Sequence, residues 1–224
     1  VLREYLKQNR LIDLHTHTSY SDGEYEPDEV IQKAKQNYVS TIAITDHNTT
    51  EGLKHIHYEQ HENMRIIPGI ELSAAREHGK MHILGLAIDA NNQQLLNYLE
   101  SIKRESLDKI LKIIDYLAIK GIYFNQNDLK LLQSHKGNVG RPELAKLLIR
   151  DGYVSSIKEA FDIYLTEAYE NIKEALPSHS YEEILSIIRL AGGVSLLAHP
   201  NTLHLNQQEF EILLQDMIRK GLQG

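Results

Sequence analysis

Short apolar runs rich in β-branched residues alternate with amphipathic stretches in the first part of the chain. The apolar runs predict strands at 10–15, 41–45, 65–70 and 81–89, and the stretches between the first three predict helices at 27–37 and 50–61. Pro27 near the first helical position and the hydroxyl of Thr50 mark the two helix starts. This alternation is typical of a parallel sheet, whose functional residues lie at the carboxyl ends of the strands.

A different pattern begins after Asn91. Helical spacing predicts helices at 94–120, 142–150 and 156–165, and the first of these ends at Gly121. The α/β pattern returns with a helix at 181–190, the apolar run "GGVSLLAHP" and a helix at 207–220. We therefore predict a discontinuous α/β domain of residues 1–90 and 179–224. Residues 91–178 are predicted to form a helical insertion.

Composition narrows the class of protein. The 224 residues are 42% hydrophobic and include no cysteine, which excludes disulfides, thiolate metal sites and cysteine nucleophiles. No signal peptide or long apolar run occurs, so we predict a cytoplasmic protein without membrane contact. The net charge of −7 argues against extended nucleic-acid binding, although a local basic pocket could hold one phosphate. Oligomeric state is left open.

Polar residues with metal-binding side chains follow the predicted strands. In "LIDLHTHTSYSDG" the residues His15 and His17 are two apart, so a strand would point both from one face. The other candidates are Asp22, Asp46, His47, Glu71, His82 and His199. Imidazoles and carboxylates meeting at one edge suit Mn²⁺, Fe²⁺ or Zn²⁺, and a carboxylate can bridge two ions. The sequence therefore predicts a site for divalent metals.

Each candidate also has a simpler interpretation. In that interpretation the candidate residues form only hydrogen bonds at the strand ends of a barrel without activity. His82, beside Met81 and Ile83, would then be a core residue. His57 and His61 are four residues apart, but their charged neighbours predict a solvated helix face rather than a metal site. Asp46 is interpreted as a group that orients a ligand.

Five motifs occur in order along the chain: "DLHTHTSYSDG", "AITDHNT", "PGIELS", "MHILG" and "LLAHP". Together they resemble the PHP (polymerase and histidinol phosphatase) superfamily. The insertion, with "GNVGRPELAKLLIRDGYV" and "EAFDIYL", resembles the subgroup that acts on nucleoside 3′,5′-bisphosphates and short oligoribonucleotides. The resemblance implies an α/β fold, a distorted (β/α)7 barrel with a cluster of two to three divalent metals.

The same resemblance assigns roles to the candidates. One metal would be held by His15, His17 and Glu71, a second by Glu71, His82 and His199, and a third by Asp22 with His47. Asp22, His47 and Glu71 are the predicted catalytic residues. The insertion would form a wall covering the active site, with Arg141 reaching a substrate phosphate. Considered from its residues alone, the turn "HKGN" with His135 could also bind a phosphate, and it equally suits an ordinary loop. Either His135 or His204 could protonate the leaving group.

The sequence departs from the family pattern in three places. Many relatives carry histidine where Glu143 follows "GRP", and a basic residue where "NTLHL" follows "AHP". The family's final Asp-x-His does not occur before Gly224. We therefore expect the last strands of the barrel to be absent, either because the chain is truncated or because the fold is completed differently.

A function follows from these expectations. We predict a metal-dependent phosphoesterase whose substrate is a small nucleotide, a nucleoside 3′,5′-bisphosphate first and short RNA trimmed from its 5′ end second. Two alternatives stay open: a phosphatase of the histidinol-phosphate type, and a non-catalytic PHP scaffold.

Overall fold

Five strands form one curled sheet in which each strand lies next to the strand that precedes it in the chain. The structure is a computed structural model that describes residues 11–76, 79–134, 137–173 and 176–224. The strands are β1 (Leu11–Thr16), β2 (Val39–Ile44), β3 (Arg65–Ala74), β4 (Met81–Leu86) and β5 (Val194–Leu197). The first three are parallel, as predicted.

The direction of β4 corrects the expectation of an all-parallel sheet. This strand is antiparallel to both β3 and β5. Only the segment from Ala75 to Lys80 joins β3 to β4, whereas a parallel crossover needs about a dozen residues. The reversal places His82, near the beginning of β4, at the same edge as the carboxyl ends of the parallel strands.

Residues 50–61, predicted as one helix, form two short 3₁₀ turns, Glu51–His55 and Tyr58–His61. The hydroxyl that accepts from the first turn belongs to Thr49 rather than Thr50. His61 is buried, not solvated as predicted. Its Nε2 lies 2.9 Å from Asp28, and His57 Nδ1 contacts the other oxygen of the same carboxylate at 2.5 Å.

Apolar side chains cover both faces of the sheet. The helix α1 (Pro27–Gln36) begins at Pro27, as predicted, and buries Ile31 against Ile42 and Ile44 of β2. On the opposite face a second cluster draws side chains from all five strands. This shared inner cluster is what a curled sheet produces, and it leaves the strand ends for polar groups.

The described residues divide into two compact units. The first contains the sheet and extends to Leu99, then resumes at Ser178–Gly224. It also includes α7 (Tyr181–Leu190), a turn at Pro200–Leu203 and α8 (Gln207–Arg219). After α8, Gln223 donates to Ser195 and Gly224 accepts from Leu197, so these residues pair alongside β5.

The second unit, Glu100–Pro177, is helical. Its elements are most of α2 (Gln93–Ile119), then α3 (Gln126–Gln133), α4 (Arg141–Arg150), α5 (Ile157–Ala160), a π-helical turn (Phe161–Leu165) and α6 (Thr166–Ile172). Ile110, Ile113 and Leu117 of α2 are fully buried in a core of this unit, with the spacing of one helical face. None of the helices in the described ranges has the length and apolarity to cross a bilayer.

Candidate metal centre

Glu71 is a fully buried carboxylate on β3. The ladder between β2 and β3 continues past Ile44, because Glu71 donates to Asp46 and accepts from Asn48 through its backbone. His47 is thereby paired with Glu71 in an isolated bridge. The side chain of Glu71 is thus held at the edge of the sheet where the polar residues collect.

Five imidazoles surround this carboxylate. Oε2 of Glu71 lies 3.0 Å from His15 Nε2, 3.2 Å from His17 Nε2 and 3.2 Å from His47 Nδ1. Oε1 lies 3.0 Å from His82 Nδ1 and 2.8 Å from His199 Nε2. The structure therefore brings together residues from all five strand ends, although 128 residues separate Glu71 from His199.

The composition of this cluster suits divalent cations. Buried Nδ1 of His47 has no hydrogen-bond partner although it lies 3.2 Å from Glu71. Two oxygens cannot accept full hydrogen bonds from five rings, which would also repel one another if protonated. Cations would bind these nitrogens in their neutral form and remove both problems. The donor set thus fits Mn²⁺, Fe²⁺ or Zn²⁺.

The cluster contains three groups of three donor atoms each. Within each group, the three donor atoms lie within 4.8 Å of one another. The groups are His15, His17 and Glu71; His17, Asp22 and His47; and His47, Glu71 and His82. His47 therefore belongs to two of the three groups. The motif resemblance had placed it at one metal only. Asp22 is 67% exposed and lies 3.5 Å from His17 Nδ1 and 3.7 Å from His47 Nε2.

Asp46 lies behind this cluster and is buried. Its Oδ1 accepts from the backbone N–H of Thr18 at 2.7 Å and from Ser21 Oγ at 2.6 Å, and Oδ2 accepts from Thr18 Oγ1. Ser21 Oγ in turn lies 3.4 Å from His17 Nδ1. Asp46 thus fixes the turn that carries His17 and Asp22.

The close packing changes the ionisation of the cluster. Burial opposes the charged form of Glu71, but contacts with His17, His82 and His15 outweigh it and hold its pKa well below the usual range. Burial also lowers the pKa of His47, and the neighbouring His17 and His82 add to the effect. For His17, the contact with Glu71 outweighs burial and raises the pKa.

The structure describes one of the two predicted phosphate-binding residues. Arg141 begins α4 in the helical unit, where its guanidinium lies 4.4 Å from the ring centre of Tyr169 and 5.2 Å from that of Phe161. Burial lowers the pKa of Arg141. His135 lies outside the described residues. His204 follows the turn at Pro200–Leu203 and is exposed.

Two residues that sequence reasoning missed line the cavity at the cluster. This cavity, of about 410 Å³, is bounded by the five imidazoles, Glu71, Lys80 and Thr202. The available signals were weak: Lys80 directly precedes β4, and Thr202 stands three residues after His199.

Comparison with known proteins finds one matching family and several similar proteins. The sequence profile of the PHP domain matches residues 13–220. A 3′,5′-nucleoside bisphosphate phosphatase from Chromobacterium violaceum is 30% identical over 217 residues, which are 95% of this chain and 75% of that protein. The 5′-3′ exoribonuclease Rnm of Escherichia coli is 29% identical over 204 residues, 88% of this chain and 67% of that protein.

A solved structure is also similar. It is described as an amidohydrolase from Chromobacterium violaceum with bound sulfate and no metal. The two chains are 28% identical and superpose with a TM-score of 0.76, covering 95% of this chain and 75% of the other.

Proposed function

The chain belongs to the PHP domain family, and on that premise we propose that it is a metal-dependent phosphoesterase acting on a phosphate monoester of a small nucleotide. One observation carries the proposal. Five imidazoles from the ends of four strands lie within 3.2 Å of one buried carboxylate on the fifth strand. A hydrogen-bonded core would not collect so many imidazoles around a single acceptor.

The proposed cofactors are two to three divalent ions, Mn²⁺, Fe²⁺ or Zn²⁺. His15, His17 and Glu71 would hold one, and Glu71, His82 and His199 would hold a second. Asp22 and His47 would hold a third. The (β/α)7 barrel of the family is the proposed fold.

Divalent cations, when bound, neutralise phosphate oxygens and lower the pKa of water, which is the chemistry that phosphoester hydrolysis requires. The chain supplies the positions. Glu71 stays ionised because its contacts outweigh burial, and it offers one oxygen to each side of the cluster. Burial lowers the pKa of His47 and so favours the neutral ring, whose Nε2 faces Asp22 at 3.7 Å. Positioning and charge neutralisation would supply most of the rate gain.

A nucleoside 3′,5′-bisphosphate is the proposed substrate. The support is the similarity to the Chromobacterium violaceum phosphatase, together with a cavity of about 410 Å³ that suits one phosphate and part of a nucleoside. Trimming of short RNA from the 5′ end is the second candidate, supported by similarity to the Escherichia coli exoribonuclease.

Arg141 is proposed to bind a substrate phosphate. Two aromatic faces orient its guanidinium, and none of the carboxylates among the described residues forms an ion pair with it. His135 keeps the same proposed role from the sequence.

Hydrolysis of a panel of substrates tests the proposal. The chain would be loaded with Mn²⁺ and given adenosine 3′,5′-bisphosphate, histidinol phosphate and a short 5′-phosphorylated RNA. Released inorganic phosphate would be measured for the first two, and released mononucleotide for the RNA. We expect phosphate release from the bisphosphate, and none after chelation with EDTA. Preferential release from histidinol phosphate would reassign the substrate class, while no hydrolysis of any of the three would leave a non-catalytic scaffold.

A further inference from the structure

Lys80 is the only cationic side chain that lines the cavity at the metal centre within the described part of the chain, apart from the imidazoles. The residue is exposed and stands just before β4. Its ammonium group forms no ion pair with a described carboxylate. An unpaired cation beside a cluster of proposed metal ligands suits an anionic substrate group.

The backbone of Lys80 is tightly attached to the segment that carries His199. Its N–H donates to the carbonyl of Thr202 at 2.9 Å, and its carbonyl accepts from Thr202 Oγ1 at 2.9 Å. Thr202 Oγ1 also lies 3.1 Å from His199 Nδ1. The root of the lysine side chain is therefore fixed relative to an imidazole of the metal centre.

Gly79 shows how close this attachment is. A Cβ at this position would lie 2.7 Å from the carbonyl oxygens of both Leu203 and Thr202, and the φ of 75° favours glycine as well. The backbone before β4 thus lies directly against the turn at Pro200–Leu203. This packing therefore fixes the position from which the side chain of Lys80 extends.

Charge gives the lysine a chemical role. The chain as a whole carries a net charge of −7, which disfavours the approach of a phosphate dianion, and imidazoles bound to a cation are neutral. A lysine ammonium is a flexible point charge with three N–H donors, and it binds phosphate oxygens well.

We propose that Lys80 binds an oxygen of the phosphate group held at the metal centre and thereby sets the affinity for the phosphorylated substrate, an inference that rests on the proposed function. The motif resemblance assigned no role to this position. Lys80 lies against the segment that follows "AHP" and is hydrogen-bonded there to Thr202.

The test compares K80M with K80R and with K35M. Lys35 is exposed on α1 and does not line the cavity, so K35M removes the same charge from a different surface. Each Mn²⁺-loaded protein would be assayed for the KM of adenosine 3′,5′-bisphosphate, for the Kd of inorganic phosphate by calorimetry, and for bound manganese by mass spectrometry.

We expect K80M to raise both KM and phosphate Kd about tenfold or more with manganese content unchanged, because it loses a charged hydrogen bond. K80R and K35M should stay within about threefold of the original chain. Unchanged phosphate affinity in K80M would overturn the inference, and so would loss of manganese, which would show a structural role. If the original chain released no phosphate, the proposed function would fail, whereas the calorimetric comparison would still decide the role of Lys80.

Discussion

Glu71 combines three properties that rarely occur in one side chain. It is fully buried, it is ionised, and it contacts five imidazoles within 3.2 Å. A buried charge is costly unless several partners compensate for it, and here the partners are themselves metal-binding groups. Removing any one ring would leave the others in place, whereas removing the carboxylate would leave five rings without a common acceptor.

Asp46 offers a test of the residues behind the cluster. We expect Asp46→Ala to weaken Mn²⁺ binding about 10–100-fold, because the turn carrying His17 and Asp22 loses its acceptor. Asp46→Asn should lose less, since its amide oxygen still accepts from Thr18 and Ser21. Titration with Mn²⁺ measures both, and circular dichroism checks that each variant is folded. If the Asp46→Ala variant bound manganese as tightly as the original chain, Asp46 would have no role in positioning the metal ligands.

The sequence predicted the bounds of individual strands and helices better than it predicted the type of helix or the direction of each strand. The helix 181–190 and the start of α1 at Pro27 are confirmed because each has local start signals. The two turns at residues 51–61 were not predictable from spacing, since Ile56 and His57 leave helical geometry where His57 binds Asp28. The antiparallel direction of β4 was predictable, because the ten residues between the predicted strands 65–70 and 81–89 are fewer than a parallel crossover needs.

The contact between α1 and the second turn gives a pH-dependent stability. Contacts with His57 and His61 outweigh the burial of Asp28 and lower its pKa from the ordinary 3.8, while Asp28 raises the pKa of His57 from 6.5. A lowered carboxyl pKa stabilises the fold at pH values above the pKa of the same group in the unfolded chain. A raised histidine pKa stabilises the fold below its unfolded value, and this contribution is lost as pH rises through the folded pKa. The contact therefore stabilises the fold fully between pH 3.8 and pH 6.5, the ordinary pKa values of the two groups.

We expect Asp28→Asn to lower the free energy of unfolding more at about pH 5.5 than at about pH 8.5. Urea denaturation at both values measures the difference. The same substitution combined with His57→Gln serves as the control, since a pair that acts together loses less than the sum of its parts. An equal loss at the two pH values would show that the ion pair contributes nothing.

Over the whole chain, the metal site depends on contacts that no local pattern specifies. His15 and His199 share one carboxylate although they lie at opposite ends of the chain, and the partial burial of each ring depends on the curl of the sheet. The sequence could predict which histidines lie around Glu71. It could not predict that His47 lies in two of the three groups of donor atoms, or that Lys80 reaches the same cavity.

Metal binding should stabilise the folded chain, because an unfolded chain does not hold these ligands together. At 100 times its Kd, Mn²⁺ would add about 2.7 kcal/mol, which raises the melting temperature by about 5–10 °C in a chain of this size. Thermal melts with Mn²⁺, with Mg²⁺ as the control ion that prefers oxygen ligands, and with EDTA measure this. A melting temperature that responds to none of the three would argue against a metal site.

The most direct test counts the metal ions bound to the chain and to its Glu71→Gln variant, by mass spectrometry after reconstitution with Mn²⁺. A shared carboxylate predicts at least two ions in the original chain and the loss of two together in the variant, while a variant at Asp22 should lose one at most. If Glu71→Gln lost a single ion, or kept them all while remaining folded, the central claim that one carboxylate organises the site would be contradicted.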